Sequence, residues 1–218
     1  KQPIEGMTVE IWDANGEFAN AAVSDATGDY EINGLPAGTY HALTWNDRGY
    51  PSTLYTGYPC AGCEVTLGTP ISVTASTTTS NIDFALGAGG FVEGRVTSAG
   101  GGVADIHVEF WTPSGHLATW QPTQANGRYT TEWALAPGSY FVKTWNDQGL
   151  INQVYPDRSC GSCEPTSGSA IEITAGATTS GIDFSLDPGG SISGTVTLAN
   201  PSDTVFPNVQ VFDQTGKW

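Results

Sequence analysis

Four cysteines in two C-x-x-C pairs are the residues whose type and spacing most directly suggest chemistry. The pairs are Cys60 with Cys63 and Cys160 with Cys163. A c-type haem is excluded, because haem attachment requires a histidine directly after the second cysteine, where Glu64 and Glu164 stand. A four-cysteine zinc site requires the two pairs to meet in space, and a redox pair requires a helix N-terminus that the sequence does not predict. We therefore predict one small disulfide in each pair, formed in an oxidising compartment, with zinc as the lesser alternative.

Oxygen-bearing side chains recur after a tryptophan, in Trp45-Asn46-Asp47 and Trp145-Asn146-Asp147. Four carboxylates are candidate Ca²⁺ ligands: Asp47, Asp83, Asp147 and Asp183. The other interpretation is that the Asn-Asp pairs shape the turn after a strand through side-chain-to-backbone hydrogen bonds. We favour the turn. Calcium is the candidate ion for these carboxylates, and no cofactor is predicted.

Histidine is the usual general base, and this chain contains three: His41, His107 and His116. Phe141 stands at the position equivalent to His41, and Thr8 at the position equivalent to His107. We interpret these lone histidines as surface residues. Nucleophile-elbow, zinc-protease and phosphate-loop motifs are absent from the sequence. The chain is therefore predicted not to be an enzyme.

An aromatic residue recurs at one strand position, as Trp12, Trp111 and Phe212. Alternation along the strand turns Val9 and Ile11 inward, so the aromatic ring is expected to face outward. Such a ring can contact the next module or a neighbouring chain, stack on a sugar ring, or do neither. Contact with a module or chain is the interpretation we favour, and carbohydrate is the second.

The charge balance excludes several classes of partner. The chain has a formal net charge of −15, with only seven lysines and arginines. Neither the phosphates of nucleic acid nor an anionic membrane would find a basic face on it. No apolar run approaches the roughly 20 residues that a membrane-spanning helix needs. An exported location, extracellular or at the cell surface, is predicted, and because the sequence begins at Lys1 we expect a processed or partial product.

The chain repeats itself at intervals of about one hundred residues. Gly38-Thr-Tyr40 matches Gly138-Ser-Tyr140, and the first cysteine pair recurs as the second at the same interval. Ser191–Thr197 matches Phe91–Thr97 and so opens a third copy. We predict unit 1 (residues 1–90), which lacks a first strand, unit 2 (residues 91–190), which is complete, and a third segment (residues 191–218) that holds the first strands of another unit.

Within each unit the apolar residues alternate with a period of two. Val92, Gly94 and Val96 alternate with polar neighbours, as do Val108 and Phe110. Turn signals such as Ala125-Asn-Gly127 separate these segments, and no helical periodicity is sustained. The predicted fold class is all-β, with tandem Ig-like or transthyretin-like β-sandwich modules of about 100 residues.

Two motifs carry a resemblance to a family. Gly28-Asp-Tyr30 is followed by Gly34-Leu-Pro-Ala-Gly-Thr-Tyr40, and each unit closes on Ile-Asp-Phe-x-Leu. This pattern resembles carboxypeptidase regulatory-like repeats, which are similar to the B-type stalk domains of bacterial adhesins. The resemblance implies a spacer, stalk or binding module on exported bacterial proteins. The Lys–Asn isopeptide bond of adhesin stalks is not expected, because Arg95 and Thr195 stand on the strand that would carry the lysine.

The mismatched ends suggest how such units join. The candidate donor strand consists of Ser191, Ile192, Ser193, Gly194, Thr195, Val196 and Thr197. Either this strand completes unit 1 of another chain, or a covalently preceding repeat supplies the equivalent strand. Both cases predict a linear array, so we expect a fibre, filament or stalk subunit whose partners are its own copies or adjacent repeats. The alternative is a carbohydrate- or surface-binding accessory module of a secreted enzyme or adhesin.

Overall fold

A computed structural model describes residues 2–60, 62–161, 163–197 and 209–212. The fold is all-β, with two single-turn 3-10 helices at Val65–Leu67 and Pro165–Ser167. The strands of unit 1 are β1 (Thr8–Asp13), β2 (Phe18–Val23), β3 (Gly38–Trp45), β4 (Thr53–Leu54), β5 (Tyr58–Pro59) and β6 (Ile71–Val73). They form one sheet in the order β2-β1-β3-β4-β5. Strand β6 pairs with the first residues of β3 (38–40), and β4 pairs with its later residues.

Unit 2 contains two sheets. Its strands are β7 (Phe91–Ser98), β8 (Gly101–Gly102), β9 (His107–Trp111), β10 (Leu117–Pro122), β11 (Arg128–Thr130), β12 (Gly138–Trp145), β13 (Gln153–Val154), β14 (Arg158–Ser159), β15 (Ala170–Ile173), β16 (Thr178–Thr179) and β17 (Phe184–Ser185). One sheet has the order β10-β9-β12-β13-β14, with β15 on β12. The other is built around β7, which pairs with β11, β16, β17 and β8.

The large sheets of the two units have the same strand order and register. Val9 of β1 lies opposite Thr44 of β3, and Val108 of β9 lies opposite Thr144 of β12. Side chains alternate between the two faces of a strand, and in both units this alternation places the valine on the buried face. The described strands are therefore equivalent one for one in this sheet, while the boundaries at residues 90 and 190 remain a prediction.

The core of unit 2 lies between its two sheets. Val92 and Val96 of β7 are fully buried, and they belong to the same cluster as Val108 and Phe110 of β9. Burying each of these side chains contributes roughly 1.5–3 kcal/mol. Strand β7 thus closes the sandwich.

The core of unit 1 is smaller. The buried members of its main cluster are Ile11, Tyr40, Ala42 and Ile71. Around them lie side chains that stay only partly buried: Ile32, Leu35, Tyr55, Val73, Ile82 and Phe84. Within the part of the chain that the structure describes, no strand of unit 1 occupies the place that β7 has in unit 2.

The junction between the units is tight. The Gly89 amide donates to the Gly49 carbonyl (2.8 Å), and Gly90 forms an antiparallel bridge with Leu135. A Cβ atom on Gly89 would lie 2.7 Å from the Leu135 carbonyl oxygen, so the close approach requires glycine. Trp45 of unit 1 packs against Trp133 of unit 2 with ring centroids 5.0 Å apart. The two units are therefore held by backbone and side-chain contacts together.

The predicted disulfides form in both cysteine pairs. Cys60 bonds to Cys63, and Cys160 bonds to Cys163, with Cα atoms 5.1 and 5.3 Å apart. Each bridge lies between the last short strand of the large sheet, β5 or β14, and the following 3-10 helix. The two disulfides constrain equivalent loops, so each one stabilises only its own unit.

Candidate functional site

An open groove runs along unit 1 at the position that β7 occupies in unit 2. Its volume is about 630 Å³. One wall is formed by residues 28–35 and the other by residues 73–83, with Ile11, Tyr40 and Ile71 at its base. In unit 2 the equivalent walls are paired with β7, as β11 on one side and β16 on the other. The groove is therefore bounded by backbone that can accept a strand.

The floor of the groove is preformed. The Tyr30 hydroxyl donates to the Ile82 carbonyl (2.5 Å), just as the Tyr129 hydroxyl donates to the Ile182 carbonyl (2.6 Å) beneath β7. This bond links segments that are 52 residues apart in the sequence. It holds the two walls of the groove at the spacing found in the closed sandwich.

The turns beside the groove have the same backbone conformation as those of unit 2. Ser76 has φ 60°, where Gly176 has φ 70°. Asn81 has φ 65°, where Gly181 has φ 77°. Left-handed φ values cost free energy for residues other than glycine, so the surrounding structure must impose them. The walls of the groove are thus shaped as if a strand were paired with them.

The electrostatics of the two tyrosines follow the same pattern. Burial, with smaller contributions from the charge of Asp83 and from Tyr55, raises the pKa of Tyr30 to about 12. Burial, with a smaller contribution from Asp183, raises the pKa of Tyr129 as well. Both phenols therefore remain neutral hydrogen-bond donors across the physiological range.

These pKa shifts predict a loss of stability at alkaline pH. The folded-state pKa of Tyr30 and Tyr129 lies above the unfolded value of about 10. Their stabilisation is therefore complete below pH 10 and declines as the pH rises through 12 for Tyr30. We expect the Tm to fall over this range, and Tyr129→Phe to flatten that fall. Calorimetry between pH 9 and pH 12 measures it, with exposed Tyr58→Phe as the control; equal slopes in all three proteins would contradict the prediction.

The candidate donor segment Ser191–Thr197 is exposed along its whole length. Ile192 is 81% exposed and Val196 is 58% exposed, whereas their counterparts Val92 and Val96 are fully buried. The segment was expected to be a strand, but no ladder partner is seen for it among the described residues. An isolated strand has no partner for its backbone N–H and C=O groups, so it does not form a sheet alone.

The recurring aromatic residues contact their own sheet. The indole N–H of Trp12 donates to Glu10 (3.2 Å), and that of Trp111 donates to Glu109 (3.1 Å). Both indoles are half-buried, and Trp12 also packs edge-on against Phe18 with centroids 5.6 Å apart. Phe212 is exposed. Their role as module or partner contacts remains a prediction.

The four candidate calcium ligands lie in loops and are exposed. Asn46, rather than Asp47, organises its loop: its side-chain oxygen accepts the amides of Arg48 and Tyr50, and Asn146 makes the equivalent bonds. Asp183 accepts the Arg95 amide (2.8 Å). Across the described ranges, no group of three or more His, Cys, Asp or Glu side chains is arranged to hold a metal ion.

One aromatic group was not predicted from the sequence. His107 stacks on Trp120 with centroids 4.2 Å apart and also contacts Trp145 at 5.0 Å. Trp145 recurs as Trp45, but Trp120 and Trp133 have no aromatic counterpart in unit 1. A search based on repeated positions overlooks such residues. His107, Trp120 and Trp145 lie side by side on β9, β10 and β12, and this is visible only once the strand register is known.

His41 is not the surface residue that was expected. It is buried, and its Nδ1 lies 3.0 Å from the Gly68 carbonyl oxygen. The prediction was wrong because the loop after the 3-10 helix Val65–Leu67 covers this face of β3. Alternation along the strand correctly places His41 opposite Tyr40 and Ala42, but it does not show what covers the second face.

Comparisons with known proteins give only distant likenesses. No protein-family model matches this sequence, and no curated protein matches it. Among solved structures the chain is similar to the minor pilin GBS52 of Streptococcus agalactiae, at 14% identity and a TM-score of 0.34, covering 90% of this chain and 88% of that one. It is also similar to the shaft pilin SpaA of Lactobacillus rhamnosus GG (12% identity, TM-score 0.32, 88% and 91% covered) and to the major pilin BcpA of Bacillus cereus (10%, 0.29, 87% and 61%).

TM-scores this low carry no argument about function, so we assign no role to this chain from the pilins. The described part of this chain contains no helix that is both long enough and apolar enough to span a bilayer.

Proposed function

We propose that this chain is a non-enzymatic structural subunit of an extracellular fibre, filament or cell-surface stalk. The observation that carries the proposal is that the segment leaving each unit is held by the same contact within that unit. The Gly89 amide donates to the Gly49 carbonyl (2.8 Å), and the Gly189 amide donates to the Gly149 carbonyl (2.7 Å). Because both exit segments are held in the same way, a unit that followed unit 2 would start from the place equivalent to the start of unit 2, which gives a linear array with a constant angle between its members.

The second junction is free to continue the array. A Cβ atom on Gly90 would meet the Thr174 carbonyl oxygen at 2.5 Å, because unit 2 surrounds that residue. At Gly190 an added Cβ meets no atom within 4 Å among the residues that the structure describes. The backbone leaving unit 2 is thus held like the backbone leaving unit 1, and a further unit has room to pack there.

The mode of joining that we propose is strand addition. Unit 1 carries an open groove of about 630 Å³, and the exposed segment Ser191–Thr197 has the sequence pattern of the strand that fills the equivalent place in unit 2. Strand addition supplies backbone hydrogen bonds and apolar contacts together. It is a head-to-tail contact, which extends without closing on itself.

We propose the cellular location from the two disulfides, and the family from two recurring sequence motifs. Two disulfides are stable in an oxidising compartment, which favours secretion. The recurring Gly-x-Tyr and Ile-Asp-Phe motifs support tandem carboxypeptidase regulatory-like modules, in which Tyr30 and Tyr129 form equivalent hydrogen bonds. We propose no cofactor; calcium would act only as a counter-ion to the acidic surface.

The alternative function, carbohydrate binding, is not favoured. Its support is the aromatic group in which Trp120 and Trp145 are 47% and 44% exposed. Trp45 is the counterpart of Trp145, and it packs against Trp133 across the junction. That contact favours packing between units over stacking on a sugar for this face.

Electron microscopy of the purified chain tests the proposal. We expect filaments or straight rods whose axial repeat corresponds to one or two units. Gly89→Ala should bend or shorten them, because its Cβ would lie 2.7 Å from the Leu135 carbonyl oxygen. Dispersed particles no longer than two units, at every protein concentration, would contradict the filament. Retention on polysaccharide, lost in Trp120→Ala, would support the alternative instead.

A further inference from the structure

We propose that the groove of unit 1 binds Ser191–Thr197 of a second copy of this chain, in one register, with Gly194 above the Tyr30–Ile82 hydrogen bond. The inference rests on the proposed function and deepens it by fixing the register of the added strand. Three features of the two units agree on this register: a glycine requirement, a hydrogen-bond pattern and apolar burial.

The glycine requirement comes from the tyrosine hydrogen bond. Strand β7 crosses the Tyr129–Ile182 bond at Gly94, where a Cβ atom would lie 2.0 Å from the Ile182 carbonyl oxygen and 2.9 Å from the Tyr129 hydroxyl oxygen. Unit 1 has the same bond between Tyr30 and Ile82. A strand that enters this groove must therefore carry glycine at the crossing. Gly194 is the glycine of Ser191–Thr197, at the place equivalent to Gly94.

The backbone partners of β7 have counterparts around the groove. In unit 2, β7 runs antiparallel to β11 and parallel to β16 and β17. Three of its bonds are Arg95 N–H to the Asp183 carboxylate (2.8 Å), Val96 N–H to the Gly127 carbonyl (2.8 Å) and Leu186 N–H to the Thr97 carbonyl (2.7 Å). In the added strand they become Thr195 to Asp83, Val196 to Gly28 and Leu86 to Thr197. Every group required is present in unit 1.

The apolar residues of the segment match the partly buried residues of the groove. In the register set by Gly194, Ile192 and Val196 take the places of Val92 and Val96. Val92 and Val96 lie in one buried cluster with Ile182, Phe184 and Leu186. The counterparts of these three in unit 1 are only partly buried: Ile82, Phe84 and Leu86. The added strand therefore buries apolar surface on both partners.

The absence of charge in this segment is compatible with the acidic groove. The walls of the groove carry Asp29, Glu31 and Asp83. Ser191–Thr197 contains no charged residue, whereas β7 contains Glu93 and Arg95 at the positions of Ser193 and Thr195. A neutral strand enters an acidic groove without repulsion, which matters in a chain of net charge −15.

The junction also continues across the proposed contact. Gly90 bridges Leu135, and the Gly176 amide donates to the Gly89 carbonyl (2.6 Å). The same contacts in the complex are Gly190 with Leu35 and the Ser76 amide with the Gly189 carbonyl. Ser76 already has the left-handed φ of 60° that corresponds to Gly176. Strand insertion thus places unit 1 of the accepting copy after unit 2 of the second copy, in the way that unit 2 follows unit 1 within one chain.

The test uses the full chain and a matched pair of glycine variants. Gly194→Val places a branched side chain against the Tyr30–Ile82 bond, whereas Gly87→Val is the control, since an added Cβ at either glycine meets no atom of the described residues within 4 Å. Sedimentation velocity over a range of concentrations should show head-to-tail oligomers for the unaltered chain and Gly87→Val. For Gly194→Val we expect the association constant to fall at least about tenfold.

A peptide gives a second measurement that does not depend on how a variant folds. A synthetic peptide with the sequence of residues 190–198 should occupy the groove and dissociate the oligomers, whereas the same peptide with valine at position 194 should not. Oligomers that persist equally in Gly194→Val and with either peptide would overturn the register while leaving the filament standing. A chain that stays monomeric at every concentration would overturn both proposals.

Discussion

Gly94→Ala is expected to unfold much of unit 2. The added methyl group would lie 2.0 Å from the Ile182 carbonyl oxygen, which is backbone and cannot rotate away as a side chain can. Relief requires β7 to separate from the Tyr129–Ile182 hydrogen bond, so the variant combines overpacking with a buried hydroxyl that loses its acceptor. Together these should cost at least about 3 kcal/mol of unfolding free energy. Guanidinium titration monitored by tryptophan fluorescence measures the loss.

Gly194→Ala is the matched control for that variant. It makes the same chemical change at the equivalent strand position, but there the added Cβ has no neighbour within 4 Å in the described part of the chain. In dilute solution we expect its unfolding free energy to stay within about 0.5 kcal/mol of that of the unaltered chain. Equal losses in the two variants would show that the cost arises from the backbone preference of glycine and not from the crossing above Tyr129.

The fold class follows from short-range patterns in the sequence. A period of two, turn residues at regular intervals and a repeat near one hundred residues are sufficient to predict an all-β chain. The disulfides follow from the spacing of the cysteines together with the residues beside them and the lack of helical periodicity. Each of these features depends on neighbours within a few positions, or on one comparison of the chain with itself.

The groove could be predicted only in part. The repeat pattern alone does not show that the walls of the groove keep the shape of a closed sandwich. That shape depends on Tyr30 reaching Ile82, and on left-handed backbone at Ser76 and Asn81. Asparagine is enriched at positive φ, but serine is not, so the local sequence indicates this conformation at Asn81 and not at Ser76.

Other parts of the structure depend on contacts that do not repeat. Trp133 reaches Trp45 only through the folded junction, and no aromatic residue stands at its place in unit 1. The burial of His41 depends on the loop at Gly68, 27 residues further along the chain. Features of this kind arise from tertiary packing, and the periodicity of the sequence does not indicate them.

Phe184→Ala and Phe84→Ala should have unequal costs, although the two phenylalanines occupy equivalent positions. Phe184 is buried among the β7 side chains, so truncation leaves a cavity and should cost about 3–5 kcal/mol of unfolding free energy. Phe84 borders the open groove and is only partly buried, so its loss in the monomer should cost less than half as much. Hydrogen exchange followed by mass spectrometry at β1 and β9 assigns each loss to its own unit.

Assembly should remove most of that difference. A strand in the groove would cover Phe84 as β7 covers Phe184, so Phe84→Ala would then cost stability in the oligomer that it does not cost in the monomer. By linkage, that extra cost must also appear as weaker association of Phe84→Ala, whereas Phe184→Ala should affect association little at temperatures where unit 2 stays folded. If Phe84→Ala lost the same stability at low and high protein concentration, Phe84 would not be covered on assembly. The groove would then lie outside the contact that joins the copies.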